Sequence, residues 1–88
     1  MKMMKLKEAL RKGEYDQALN IINQHYERHK DDPHITKQWL TIRYGVHIRK
    51  KNYDEALKCI SKCLELNPLD IHSYNLMGMI QLHRKKKE

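Results

Sequence analysis

The octapeptide Tyr15-Asp16-Gln17-Ala18-Leu19-Asn20-Ile21-Ile22 returns as Tyr53-Asp54-Glu55-Ala56-Leu57-Lys58-Cys59-Ile60. Both copies read Tyr-Asp-[Gln/Glu]-Ala-Leu-x-x-Ile, and they start 38 positions apart. A chain of 88 residues that repeats its own amphipathic segment at this interval is expected to be an array of stacked units. In such an array each unit buries its apolar face against its neighbours, and the face left over is open to a partner.

On either side of the two copies the apolar spacing predicts further helices along the whole chain. Residues 3–12 carry Met3, Leu6 and Leu10 at helical spacing before Gly13 breaks the run. The first octapeptide opens a helix over 14–30 with the stripe Tyr15, Ala18, Leu19, Ile22 and Tyr26. Glu14 and Asp16 lie in its first turn, where the helix dipole favours carboxylates. Asp31-Asp32-Pro33 ends that helix and starts the next, over 33–50. Asp32 suits an N-cap, and Pro33 the first helical position, where a missing N–H costs nothing. This third helix is expected to bury Ile35, Trp39, Ile42 and Val46, and Gly45 inside it predicts close approach of a neighbouring helix. The second octapeptide opens a helix over 52–66, with Tyr53, Ala56, Leu57, Ile60, Cys63 and Leu64 inward. Asn67-Pro68-Leu69-Asp70 terminates it, and Asp70 caps a fifth helix over 71–84. On that helix Tyr74, Met77 and Gln81 are assigned the places that Trp39, Ile42 and Val46 hold on the third. Five helices joined by short polar turns predict an all-α, up-and-down stack of antiparallel hairpins in one domain. Its parts are a partial repeat over 1–32, a full repeat over 33–70, and a partial repeat or capping helix over 71–88.

The stretch from Trp39 to Asp70 resembles a tetratricopeptide repeat. Trp39 and Ile42 stand on its first helix, Asn52-Tyr53-Asp54-Glu55-Ala56-Leu57 opens its second, Cys63 takes the later small position, and Leu64-Glu65-Leu66-Asn67-Pro68 closes it. Asp70 to Gly78 is similar to the start of a further repeat, and Gly13 to Leu19 to the second helix of a preceding one. The chain departs from the family in a longer ending before Pro33, in the turn between the third and fourth helices, and in Arg43 where Gly is preferred. The resemblance implies about two and a half hairpins in a short solenoid, whose first helices line a concave groove for a peptide or partner helix. It does not extend to the family's clamp for chaperone C-termini: Thr41, Ile42, His72 and Leu76 stand where that clamp needs Asn, Lys and Arg. Groove residues expected on this basis are Leu40, Tyr44, His47, Asn75, Met79 and His83.

Composition narrows the function classes. There is no Phe, with 3 Gly and 2 Pro, a balance that favours helix. No apolar run approaches the ~18–20 residues of a membrane span. The start Met1-Lys2-Met3-Met4-Lys5-Leu6-Lys7 alternates charged and apolar residues without a signal-peptide core. A cytoplasmic chain with no membrane partner is expected. Cys59 and Cys63 lie one helical turn apart, too strained for a disulfide in regular helix, which predicts free thiols. His25 and His29 share a spacing that can hold zinc, yet no Cys or carboxylate stands beside them, so no metal is expected. The chain has no Gly-rich phosphate loop, no nucleophile motif and no carboxylate pair in an apolar setting, and is read as no enzyme and without a cofactor.

Charge supplies the remaining candidates. Eighteen Lys and Arg against 11 Asp and Glu leave a net +7. Arg11-Lys12, Arg49-Lys50-Lys51 and Arg84-Lys85-Lys86-Lys87 each end the first helix of a hairpin, which predicts one basic edge. Such an edge could dock an acidic protein segment or phosphates. Basic residues at helix C-termini also complement the macrodipole, with no partner needed. The fifth helix, with Leu76, Met79 and Ile80 among its apolar residues, is expected to associate with a second copy or a partner. The function expected is a scaffold for a protein or peptide. The alternative is a nucleic-acid-binding module acting through the basic edge.

Overall fold

In the computed structural model, which describes residues 2–87, five helices follow one another: α1 (Lys2–Lys12), α2 (Tyr15–Arg28), α3 (Pro33–Arg49), α4 (Tyr53–Leu66) and α5 (Ile71–Lys87). No strand occurs among the described residues. Every substantial helix–helix contact joins neighbours in the chain, most extensively α3 with α4. The molecule is accordingly a slab, 38 × 30 × 15 Å. A fold that packs only along its sequence is a one-dimensional array.

The turns explain the alternation. After α1, the Gly13 N–H bonds to the Leu10 carbonyl (3.2 Å) and the Glu14 N–H to that of Ala9 (2.8 Å). After α3, Lys51 N–H bonds to Ile48 (3.0 Å) and Asn52 N–H to His47 (2.8 Å) in the same pattern. Both are Schellman endings, which satisfy the last carbonyls of a helix and need a left-handed residue. That residue is Gly13 at φ 76° in one turn and Lys51 at φ 62° in the other.

The opposite edge is held by aspartates. Asp32 caps α3 by accepting from the N–H groups of His34 (3.0 Å) and Ile35 (3.2 Å), with Pro33 at the first helical position. Asp70, buried ahead of α5, accepts from the Ser73 hydroxyl at 2.7 Å and pairs with Lys37 of α3 at 2.6 Å. Those two contacts, with the His72 N–H, hold its carboxyl below the usual value of 3.8. One capping residue thereby ties α5 to α3 across α4.

Two apolar clusters fill the stack. Leu6, Ala9, Ala18, Ile22, Trp39 and Val46 join α1, α2 and one side of α3. Leu40, Tyr44, Ala56, Cys59, Ile60, Cys63 and Ile80 join the other side of α3 to α4 and α5. The octapeptide alanines, Ala18 and Ala56, are wholly buried because each lets two helices meet closely. Helix α3 is thus apolar on two sides and covered on both.

Three expectations are corrected here. A Cβ on Gly45 would meet no heavy atom within 4 Å, so no close approach explains it. Ile35 and Ile42 are half-buried at the margin of the first cluster, not in its centre. On α5 the residues that face inward as Trp39 and Val46 do are Ser73 and Ile80, while Tyr74 and Gln81 are exposed. The repeat between the two helices is therefore one residue shorter than Tyr74 and Gln81 implied.

Candidate partner-binding surfaces

The expected groove does not assemble. Leu40 and Tyr44 are core residues, wedged between α3 and α4. The Tyr44 hydroxyl donates to the Leu76 carbonyl of α5 at 3.2 Å, satisfying its only polar atom. His47 is half-buried and faces α2 and α4 instead. Asn75, Met79 and His83 are exposed along one flank of α5, where the His83 ring stacks on Tyr53 with centroids 6.1 Å apart. Of the six candidates, three remain solvent-facing together, and all three lie on α5.

His47 lines a shallow cavity of about 330 Å³ with Leu19, Asn23, Arg43, Glu55, Lys58 and Cys59. Arg43 spans its wall, donating to Asn23 Oδ1 at 2.8 Å and lying 4.9 Å from the Tyr26 ring centroid. The His47 Nδ1 is buried without a hydrogen-bond partner. Burial pushes the imidazole below its usual value of 6.5, with Glu55 opposing the shift and Arg43 and Lys50 adding to it. Burial pushes the thiols of Cys59 and Cys63 up, which keeps both protonated and poor nucleophiles. Both are free. His25 stacks on Trp39, with centroids 4.4 Å apart and planes at 6°, so its ring belongs to the packing. Among the described residues no group of three or more His, Cys, Asp or Glu is arranged to hold a metal.

Four of the six exposed large hydrophobic residues among those described lie on the outer side of α5. Ile71 is 74% exposed, Tyr74 54%, Met79 50% and Leu82 63%. At 100° per residue, Ile71, Tyr74 and Leu82 form one stripe with Gly78 between them, and Met79 flanks it. The self-association set is corrected accordingly. Met79 is on the open side, but Leu76 is half-buried against α4, and Ile80 is 0% exposed at the centre of the second cluster. The sequence names Tyr74 and Leu82 among the apolar residues of this helix without separating them as its open face, and gives no sign of Ile71. The missing signal was the fourth helix's own length of contact, which decides which side of α5 is covered.

The basic clusters do converge. Lys50, at the end of α3, pairs with Asp16 at the start of α2 at 2.5 Å. Arg84 of α5 pairs with Asp54 at the start of α4 at 3.5 Å. Since α1 turns directly into α2 and α3 into α4, these two bridges bring all three helix ends to one edge. The Lys50 contact holds the Asp16 carboxyl below its usual value of 3.8. Arg11 pairs within α1, with Glu8, at 2.7 Å. Lys12, Arg49, Lys51 and Lys85 are exposed, and no described acid lies within ion-pair distance of them. The side chains of Lys86 and Lys87 lie outside the described residues.

No family model, curated protein or solved structure matches the chain. Among the described residues, no helix is long and apolar enough to cross a membrane.

Proposed function

We propose that this protein is a non-enzymatic helical-repeat scaffold that binds a partner helix on the outer side of α5. The observation that carries this reading is the pairing of α3 with α4. Helix α3 offers Leu40 and Tyr44 to a stripe of small side chains on α4, with Ala56, Cys59 and Cys63 among them. Helix α5 has the same two-sided apolar character, with Ser73 and Ile80 turned to α4 and Ile71, Tyr74 and Leu82 turned to solvent. A helix with small residues at i, i+3 and i+7 would receive Tyr74, the counterpart of Leu40, with Leu82 two turns further along the same stripe. The resemblance to tetratricopeptide repeats, a family of protein-binding modules, supports the same class of activity. Self-association through this side would require an exchange of hairpins, because Ala56, Cys59 and Cys63 of α4 are buried within each copy.

Affinity capture from nuclease-treated lysate tests the proposal, run in parallel with the unaltered chain and with Tyr74→Glu/Leu82→Glu. The expected result is a small set of stoichiometric proteins held by the first and lost by the second, at equal helicity by circular dichroism. Equal capture by both chains would remove α5 from the reading. Recovery that disappears with nuclease would transfer the function to nucleic acid.

A further inference from the structure

We propose that the edge built from the helix ends of α1, α3 and α5 docks an acidic protein segment, with Lys51 as its central contact. This is independent of the outer side of α5 and rests on three observations at the turns.

The first is the conformation of Lys51. The two Schellman turns are superimposable in hydrogen bonding, residue for residue, and the α1–α2 turn places Gly13 where the α3–α4 turn places Lys51. A left-handed φ is free for glycine and strained for a residue with a Cβ. The same chain thus solves one turn without strain and retains a strained lysine in its counterpart. Backbone strain of this kind points to a role beyond the fold. The macrodipole accounts for Arg11, Lys12 and Arg49 in last turns and for Lys50 at the C-cap, but Lys51 lies past the helix end.

The second is what the edge leaves unpaired. The bridges Lys50–Asp16 and Arg84–Asp54 hold the hairpins in register. Lys12, Arg49, Lys51 and Lys85 project from that frame with no described acid in reach. They fall at three helix ends, Lys12 at α1, Arg49 and Lys51 at α3 and Lys85 at α5, at intervals of about 16–20 Å set by two helix spacings. An extended segment covers that interval in about five or six residues.

The third decides the class of partner. Asp16 is 87% and Asp54 81% exposed by side chain, so carboxylates stand between the basic clusters. A nucleic acid carries charge continuously, with one negative charge per ~1.7 Å of duplex axis, and would set phosphates against both. A polypeptide can group its acids over the lysines and pass neutral residues over Asp16 and Asp54. Base binding also wants open aromatic platforms. The edge's Tyr53 is instead half-buried and stacked on His83.

The test uses a fluorescein-labelled synthetic peptide with two Glu/Asp triplets joined by a Gly/Ser spacer of about six residues, titrated by fluorescence anisotropy at low and moderate salt. Lys51→Gly is the informative variant, because it removes the charge and relieves the strain together. The unaltered chain is expected to bind with an affinity that falls as salt rises. Lys51→Gly should bind about fivefold more weakly while melting at a higher temperature, which rules out misfolding as the cause. Lys62→Gln, on the far part of α4, should leave binding unchanged. Undiminished binding by Lys51→Gly, or no binding by the unaltered chain, would overturn the proposal. So would tighter binding of a single-stranded oligothymidylate of matching charge at the same salt.

Discussion

Gly13 and Lys51 occupy one backbone conformation with opposite local economics, and that contrast can be measured. Gly13 stands at φ 76° with nothing within 4 Å of a Cβ placed on it, so alanine there would meet strain without a clash. Gly13→Ala is expected to destabilise by about 1–2 kcal/mol, the cost of left-handed backbone in an L residue. Lys51→Gly should do the reverse, stabilising by roughly 0.5–1 kcal/mol after the extra entropy of unfolded glycine is counted. For a domain of this size those changes correspond to several degrees each in thermal midpoint. A common sign for the two variants in calorimetry would mean that the turns are not equivalent. Gly13 was legible in the sequence as a helix break. Lys51 was not, since lysine carries no turn signal of its own, and its role emerges only when the α3–α4 turn is laid over the α1–α2 turn.

Helix existence was written in the chain, whereas helix orientation was written only in part. Proline, aspartate and the Tyr-Asp-x-Ala-Leu openings mark where α2, α3 and α4 start, and the observed starts fall within one residue of those expected. The two octapeptide helices, α2 and α4, have one apolar stripe each, so periodicity alone turns them correctly. Helices α3 and α5 do not: α3 carries Trp39, Leu40, Tyr44 and Val46, which lie on two sides of it. An all-round apolar helix gives periodicity nothing to select. For that reason the sequence assigns Leu40 and Tyr44 to a groove and Ile80 to an association surface, whereas all three are core. Helix α5 offers the sharpest check of which side is which. Ile80→Ala, which empties a fully buried site beside Ile60 and Cys63, should cost about 2–5 kcal/mol. Leu82→Ala, two residues on and 63% exposed, should stay within about 0.5 kcal/mol of the unaltered chain. Denaturant unfolding of both variants reads the difference directly. Equal costs would mean that the outer side of α5 is already covered in solution, by a second copy of the chain, and a mass measurement would then show the dimer.

At the scale of the whole molecule, electrostatics sets two effects against each other. Among the described residues seven ion pairs are formed, and four of them, Arg11–Glu8, Lys30–Glu27, Lys58–Glu55 and Lys62–Glu65, join residues three apart in sequence near the surface. Exposed pairs of that kind contribute little and fade with salt. Against them stands a net charge of +7 on a slab only 15 Å thick, much of it gathered at one edge. Lys12, Arg49, Lys51 and Lys85 repel one another there without compensation, and folding brings them together from a chain in which they were far apart. Repulsion of this sort destabilises the compact state and is relieved by screening. Raising salt from about 20 mM to about 300 mM shortens the Debye length from roughly 20 Å to roughly 6 Å, below the spacing of the basic clusters. The thermal midpoint is therefore expected to rise by a few degrees over that range, measured in chloride to avoid specific anion binding. Lys51→Gly, with one charge fewer at the centre of the edge, should show a smaller rise. A midpoint that falls with salt would mean that the bridges Lys50–Asp16, Arg84–Asp54 and Lys37–Asp70 outweigh the repulsion. The basic edge would then be a structural seam between hairpins, held by its own aspartates, with little charge left to offer an acidic partner.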